Sequence, residues 1–347
     1  MLLQMGIIGY GGMAEYHAKT LAVSTKKIKV KGVYDINPER MKIAENDGFA
    51  AYESAEKLLS DKDIDIVLVA TPNDLHKEYV IAAAKAKKHI ICEKPAALSV
   101  SEFKEMINAA EKNKVVFSIH QNRRWDKDFL TAAEIYKNSK PGVYEIISTV
   151  SSSHGMPGAW RYLKKHGGGI VLDWGVHLCD QLLTLIDSKV KSVYCRLDYL
   201  EGSDVDQNCY LVMEFENGVR GKIDIDTNCY VPKPRWILKA FDKTAIINDW
   251  DINGKIVKVI EKDYEIQAIV ASAGLTKTMA PRKEGTIKEL PLPKVETDYT
   301  AFYNNYVNTV LGKEKQAVSN ASVMRTMRLL EAAFLSAEKN EVVKVDI

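Results

Sequence analysis

The residues that most restrict this chain are its first fourteen. Leu2 to Ile8 form a short apolar run, Gly9-Tyr10-Gly11-Gly12-Met13-Ala14 follows directly, and a helical pattern continues through Leu21. A strand, a Gly-x-Gly-x-x-Ala turn and a helix in that order define a βαβ unit shaped to hold a dinucleotide. Gly9 permits the tight turn, Gly11 lets a pyrophosphate approach the backbone, and Ala14 keeps the helix close to the sheet. The helix start then offers free N–H groups and a positive dipole to the phosphates. Gly9, Tyr10, Gly11, Gly12 and Met13 are therefore the expected cradle.

The second strand, Lys29 to Tyr34, ends in Asp35, about 20 residues beyond the motif, where an acid reads the ribose hydroxyls. A carboxylate there accepts from the 2′- and 3′-hydroxyls and repels a 2′-phosphate, which argues for NAD. Arg40, one turn on, leaves NADP open. Asn37 followed by Pro38 supplies the cap of the next helix.

The alternation continues through a helix over Ser54 to Leu59 and a Val/Ile-rich strand from Ile64 to Ala70. Thr71, Asn73 and His76 follow at that strand's carboxyl end, where open α/β sheets bind ligands; Asp74 is placed to cap the helix running to Lys87. Strand His89 to Cys92 ends in Glu93-Lys94-Pro95, and Ser99 to Glu102 reads as a capping box. Lys94 thus stands beside the expected nicotinamide position, ahead of a proline whose peptide bond can be cis. Strand Val115 to His120 closes the unit with Gln121-Asn122-Arg123-Arg124. Six strands alternating with helices make a doubly wound parallel sheet, a Rossmann domain over residues 1–121.

From Val143 the pattern changes. Val143 to Ser152, Ser192 to Leu200, Asn208 to Phe215, Val219 to Asn228 and Arg235 to Ile247 read as strands, joined in part by short turns such as Glu216-Asn217-Gly218. In Val219 to Asp226 apolar and charged residues alternate strictly. Residues 122–347 are expected to form an α+β domain with a large, mostly antiparallel open sheet. Its far face, mixed polar and apolar, suits a subunit interface. Ala268 to Lys294 lacks periodicity and reads as a long loop or flap. Helices follow over Asp298 to Leu311 and Ala321 to Lys339, the last with a core stripe and placed to pack back toward the first domain.

One helix in the second domain carries chemistry. Gly167-Gly168-Gly169 open a segment with Val171, Leu178, Leu182 and Leu185 at helical spacing, and Asp173 and His177 fall one turn apart on one face, continued by Asp180. The glycines are expected to bring the helix start close to the cofactor. A histidine of ordinary pKa can take the proton of an alcohol during hydride transfer, Lys94 can stabilise the developing alkoxide, and Asp173 can orient the imidazole or bind a neighbouring hydroxyl.

Composition removes other classes. The net charge is +2, from 48 basic and 46 acidic residues, which gives no argument for nucleic acid or an anionic membrane. No apolar run approaches a membrane span. The five cysteines are scattered without a Cys-x-x-Cys pair and read as reduced thiols of a cytoplasmic protein. A first strand at the very start leaves no room for a signal peptide. No His/Cys/carboxylate run has metal-ligand spacing, so no metal is expected.

The whole chain resembles the Gfo/Idh/MocA oxidoreductases, the family of glucose–fructose oxidoreductase and inositol dehydrogenase. The resemblance rests on Gly9 to Ala14, Ala70-Thr71-Pro72-Asn73 with His76, Glu93-Lys94-Pro95, Trp160-Arg161, Gly167 to Gly169 leading to Asp173 and His177, and the terminal Leu329-Leu330-Glu331-Ala332-Ala333 helix. It implies that Lys94, Asp173 and His177 form the catalytic group, that the C-terminal sheet makes homodimer or homotetramer contacts, and that Arg161 lies near the cleft, a cofactor candidate like Glu93. Trp160 is a further substrate candidate, and Asn122 a further substrate or cofactor candidate; His154 reads as solvent-exposed. Trp174 and Val176 depart from the family's commoner wording. The expected activity is NAD(P)-dependent oxidation of a secondary alcohol in a sugar, cyclitol or related polyol. Two alternatives stand beside it, a glycosidase or lyase using tightly held NAD transiently and a nucleotide-binding sensor without turnover.

Overall fold

The computed structural model describes residues 2–156, 158–261, 269–271, 275–277, 282 and 285–347. Its first sheet contains β1 (Leu3–Ile8), β2 (Ile28–Tyr34), β3 (Ala50–Ala51), β4 (Ile66–Val69), β5 (His89–Cys92) and β6 (Phe117–Ile119). All pairs are parallel, in the order β3-β2-β1-β4-β5-β6. The strand order reverses beside β1, which opens a crevice at the carboxyl ends of β1 and β4. Every residue of β4 is buried, as befits a strand covered on both faces.

The connecting helices are α1 (12–24), α2 (Pro38–Asn46), α3 (Ala55–Ser60), α4 (His76–Lys85) and α5 (Val100–Asn113). Asn37 caps α2 by accepting from the Glu39 N–H at 2.9 Å. Ser99 accepts from the Glu102 N–H at 3.1 Å, while Glu102 accepts from the Leu98 N–H. Asp74 does not cap α4; its carboxylate lies 3.1 Å from His166 Nδ1 in the other domain. The middle of α1, His17–Leu21, is π-helical.

Beyond α6 (Lys127–Lys137), a nine-stranded sheet takes over. It comprises β7 (Val143–Ser151), β8 (Val190–Asp198), β9 (Asn208–Phe215), β10 (Arg220–Asp226), β11 (Trp236–Ala240), β12 (Lys243–Ile247) and β13 (Gly254–Val259). A separate hairpin, β14 (Ile269–Ala271) and β15 (Leu275–Lys277), comes before β16 (Ile287–Leu290), and β17 (Val343–Lys344) ends the chain's strands. The order is β16-β13-β12-β11-β7-β10-β9-β8-β17, antiparallel except between β7 and β10. One helix, α7 (171–185), packs on β9 and β10, and two more, α8 (Ala301–Val310) and α9 (Asn320–Lys339), follow β16. Among the described residues no helix is long and apolar enough to cross a membrane.

Three expectations change. Arg235 to Ile247 is a hairpin and not one strand: Trp236, Leu238 and Ala240 face inward, but so do Ala245 and Ile247, so the alternation shifts parity across an exposed Phe241. Two strands at one end of the sheet, β13 and the edge strand β16, were not foreseen, because neither has a residue in the buried core to generate an apolar pattern. The long loop expected over Ala268 to Lys294 therefore contains β16; residues 268, 272–274, 278–281 and 283–284 of it lie outside the described residues.

The last fifty residues join the two sheets. Tyr306 Oη donates to Val116 O, Gln316 Nε2 to Phe117 O, and the Val100 N–H to Glu331 Oε1 at 2.6 Å.

The start of α7 is fixed by close packing. A Cβ on Gly167 would strike Leu98, one on Gly168 would strike the Arg161 backbone, and one on Gly169, whose φ is +108°, would strike the Asp206 carboxylate. These three glycines thus serve contact with protein atoms, not with the cofactor. Asp206 caps the helix from outside: its Oδ2 accepts the Val171 N–H at 2.7 Å and its carbonyl accepts the Ile170 N–H at 2.9 Å. Only backbone donors face this buried carboxyl, so burial pushes it up to about 6.

A raised acid destabilises the fold once ionised, so the penalty is absent below pH 4 and complete above 6. Asp206→Asn, which keeps the accepting oxygen, should stabilise the protein by about 1–3 kcal/mol at pH 7.5 and by almost nothing at pH 4. Urea unfolding at the two pH values measures this; a variant less stable than wild type at pH 7.5 would contradict it.

Candidate active site

A cleft of about 610 Å³ runs between the sheets, lined on one side by the glycine turn and strand ends and on the other by Trp160, Arg161, Leu172 and Asp173. At its first end, Gly9 turns with φ +89°, and a Cβ there would lie 2.7 Å from Ala70 O. Cβ atoms on Gly11 and Gly12 would meet nothing within 4 Å, so both glycines present bare backbone to the cleft. Gly11 caps α1 with no side chain, leaving the helix start open to an anion. Asp35 tightens this end, accepting from the Tyr10 N–H at 2.6 Å and the Asn37 N–H at 2.8 Å. Thr71 lines the cleft with a buried hydroxyl that has no partner. Bare glycine backbone, an acid at the second strand and an orphaned hydroxyl fit a dinucleotide.

Lys94 and Asp173 meet at the other end. The Lys94 ammonium donates to Asp173 Oδ1 at 2.7 Å and to the Asp173 carbonyl at 2.8 Å. Arg161 Nε lies 2.9 Å from Asp173 Oδ2, with the guanidinium over the Trp160 ring. Burial works against ionisation of Asp173, but Lys94 and Arg161 outweigh it and hold the carboxyl below its ordinary value. The stretch presenting Asp173, Val171–Gly175, is π-helical, which corrects the expected regular helix. The Lys94–Pro95 bond is cis.

His177 comes next on α7 but not onto the cleft lining. It is 5% exposed, its Nδ1 has no partner among the described residues, and Asp173 gives both oxygens to Lys94 and Arg161 instead. Burial, then Lys94 and Arg123, hold the imidazole well below its usual value, so it is neutral at physiological pH. Trp174 packs edge-on against it, with Arg123 stacked 4.2 Å from the Trp174 ring and Trp250 beyond. Asp180, though on the same helix, is engaged elsewhere in a bidentate pair with Arg124.

Several expected cofactor contacts are positioning contacts instead. His76 is fully buried, with Nδ1 2.9 Å from Pro95 O and Nε2 3.1 Å from Thr71 O, so it clamps the two loops that carry Thr71 and Lys94. The Tyr10 ring is buried and bonded to Asp47, away from the cleft. Asn122 lines a separate cavity with Trp250. Asn73 lines the cleft and also donates to Gly167 O at 2.9 Å, joining the domains. Gly9, Gly11, Gly12, Met13, Asp35, Thr71, Glu93, Trp160 and Arg161 all line it, and His154 is exposed.

The sequence reading missed a buried network behind Glu93. His17 Nε2 and His120 Nδ1 lie 2.6 and 2.9 Å from the same oxygen, Oε1, and His17 Nδ1 is 2.5 Å from the Tyr303 hydroxyl. These three side chains come from α1, the end of β6 and α8, so no local spacing marks them. The one available signal was a histidine on the apolar face that Ala14, Ala18 and Leu21 give α1. Asp206 left none.

Comparisons with known proteins bear on the family and the fold. Residues 3–121 match the model described as "Oxidoreductase family, NAD-binding Rossmann fold", and residues 129–245 match "GFO/IDH/MocA C-terminal domain". The chain is 30% identical over 230 residues to myo-inositol 2-dehydrogenase of Thermotoga maritima, covering 64% of this chain and 68% of that one. It is 23% identical to scyllo-inositol 2-dehydrogenase (NADP(+)) IolW of Bacillus subtilis, over 99% and 96% of the two chains. A crystal structure of an NAD-binding protein from Listeria innocua superposes with a TM-score of 0.95 at 43% identity, over 99% of both chains.

The shared carboxylate generates a stability prediction. Asp173→Ala would leave Lys94 and Arg161 crowded together without an anion, at a cost of about 3 kcal/mol in unfolding free energy. Asp173→Asn should cost less. An unchanged urea midpoint for Asp173→Ala would overturn this reading of the pair.

Proposed function

The chain belongs to the GFO/IDH/MocA family of NAD-binding oxidoreductases, and we propose that it is a dehydrogenase that oxidises a secondary alcohol of a sugar, cyclitol or related polyol. One observation carries this reading: an ammonium from the dinucleotide fold, Lys94, is clamped to Asp173 of the second domain at the end of the cleft opposite Asp35. Names borne by relatives, two of them inositol dehydrogenases, support the polyol class. Asp35 favours NAD over NADP.

Alcohol oxidation moves a hydride and a proton to different acceptors. Bound NAD supplies the hydride acceptor. Lys94 donates to the substrate oxygen and stabilises the charge that builds there. Asp173 aims that ammonium; it does not orient the imidazole. We assign the proton to His177, whose neutral ring is enclosed one helical turn beyond Asp173. Arg161 and Trp160 close the cleft above the reacting end. We place self-association on the open face of the nine-stranded sheet, where Ile147, Val212, Ile237 and Ile246 stay partly exposed. Five free thiols support a cytoplasmic setting.

A panel of sugars and inositols assayed with NAD and NADP, followed at 340 nm, tests the reading; NADH should accumulate with a polyol. His177→Ala should lower turnover by roughly 10²–10⁴ with NAD affinity little changed, and unchanged turnover would remove His177 from the mechanism. The depressed imidazole stays unprotonated as pH falls through 6.5. The acid limb of kcat/KM should therefore lie below 6.5, and a limb above that value would count against His177 as the base.

A further inference from the structure

Glu93 lines the reacting end of the cleft, yet among the described residues no lysine or arginine pairs with it. Its partners are two imidazoles and one backbone N–H. The His17 ring is wholly enclosed, and its two nitrogens face a tyrosine hydroxyl and a carboxylate. A neutral ring satisfies both, with Tyr303 donating to Nδ1 and Nε2–H donating to Glu93. His120 donates to the same oxygen, and its ring lies edge-on 4.3 Å from that of His17, where a second positive charge would be repelled. Burial opposes ionisation of Glu93, but the two histidines prevail and hold its carboxyl well below the ordinary range; His17 itself is lowered, by burial first and then by His120. Tyr303, raised well above its usual value by burial and by Glu93, keeps its proton.

The ligating atoms of His17, Glu93 and His120 lie within 4.8 Å of one another. Both nitrogens are already in hydrogen-bonding distance of one oxygen, so a cation would have to break both bonds before entering. The geometry points to a hydrogen-bonded carboxylate and not to a metal centre.

The charges at this end sum in a definite way. Lys94 and Arg161 bring two positive charges, while Asp173, which they share, brings one negative charge. Glu93 adds a second negative charge at this end. We propose that Glu93, hydrogen-bonded to His17 and His120, makes the cleft favour the oxidised dinucleotide over the reduced one. Oxidised nicotinamide carries a positive ring charge that the reduced ring lacks, and the rest of the molecule is common to both forms. Without Glu93, two cations against Asp173 alone would repel the charged ring. This inference rests on the dehydrogenase reading above.

The test is the ratio of dissociation constants for NAD⁺ and NADH, from NADH fluorescence titration and from calorimetry with NAD⁺. Glu93→Gln should raise Kd(NAD⁺)/Kd(NADH) on the order of tenfold. Arg161→Gln removes a cation from a loop and should move the ratio the other way, so it gives a reading even if Glu93→Gln does not fold. A general loss of structure weakens both nucleotides and leaves the ratio in place. An unchanged ratio in Glu93→Gln that keeps wild-type affinity for NADH, or an unchanged or raised ratio in Arg161→Gln, overturns the proposal while leaving the dehydrogenase reading intact. Wild-type protein that binds neither nucleotide overturns both.

Discussion

Everything near the cleft is arranged around one carboxylate shared by two cations. Asp173 belongs to the antiparallel domain and Lys94 to the parallel one, and their 2.7 Å contact is the point where the two sheets meet over the cavity. A partly buried pair of this kind contributes little net stability by itself, because desolvation offsets most of the attraction. It needs a scaffold that places both partners without strain. His76 clamps the loop carrying Lys94 to the loop carrying Thr71, Asn73 holds the Gly167 carbonyl, and Asp206 anchors the first turn of α7. Each contact costs the chain a special residue, and each makes sense only as a constraint on where the ammonium and the carboxylate end up.

Both helices that present polar groups to this end are π-helical where they do so. His17–Leu21 brings His17 to Glu93, and Val171–Gly175 brings Asp173 to Lys94. A π turn inserts a residue into the helical register and rotates the next turn of the helix, which lets an otherwise apolar face aim one polar group into a buried network. In each case the helix then returns to regular α geometry. The departure from regularity is local to the chemistry.

This geometry also explains what could be read from the sequence and what could not. Buried parallel strands such as Ile66–Val69 announce themselves as unbroken apolar runs, and the glycine turn and Asp35 sit at fixed distances along the chain. Lys94, Asp173 and Arg161 were legible because each lies inside a local motif. β13 and β16 were not, since these two strands at the end of the sheet bury too little to leave a period. The Glu93 network was hidden for another reason: residues 17, 93, 120 and 303 become neighbours only when four elements pack together. His177 was read correctly in its helix but not in its surroundings, because the side chains of Arg123 and Trp174 that enclose it come from packing that no spacing encodes.

Three buried acids in this one chain carry different proton affinities, and the difference arises from the groups that face them. Asp173 faces two cations and Glu93 faces two imidazoles; both are held below the ordinary carboxyl range despite burial. Asp206 is as deeply buried but faces backbone N–H groups alone, and it rises to about 6. Burial is therefore not what sets these groups apart. The acids beside Lys94 are given partners that hold their carboxyls below the ordinary range. Asp206 serves only to hold a helix end, a duty a neutral oxygen can also perform, so nothing in the fold needs to keep it ionised. The distribution of partners separates the carboxylates whose charge matters from the one whose geometry matters.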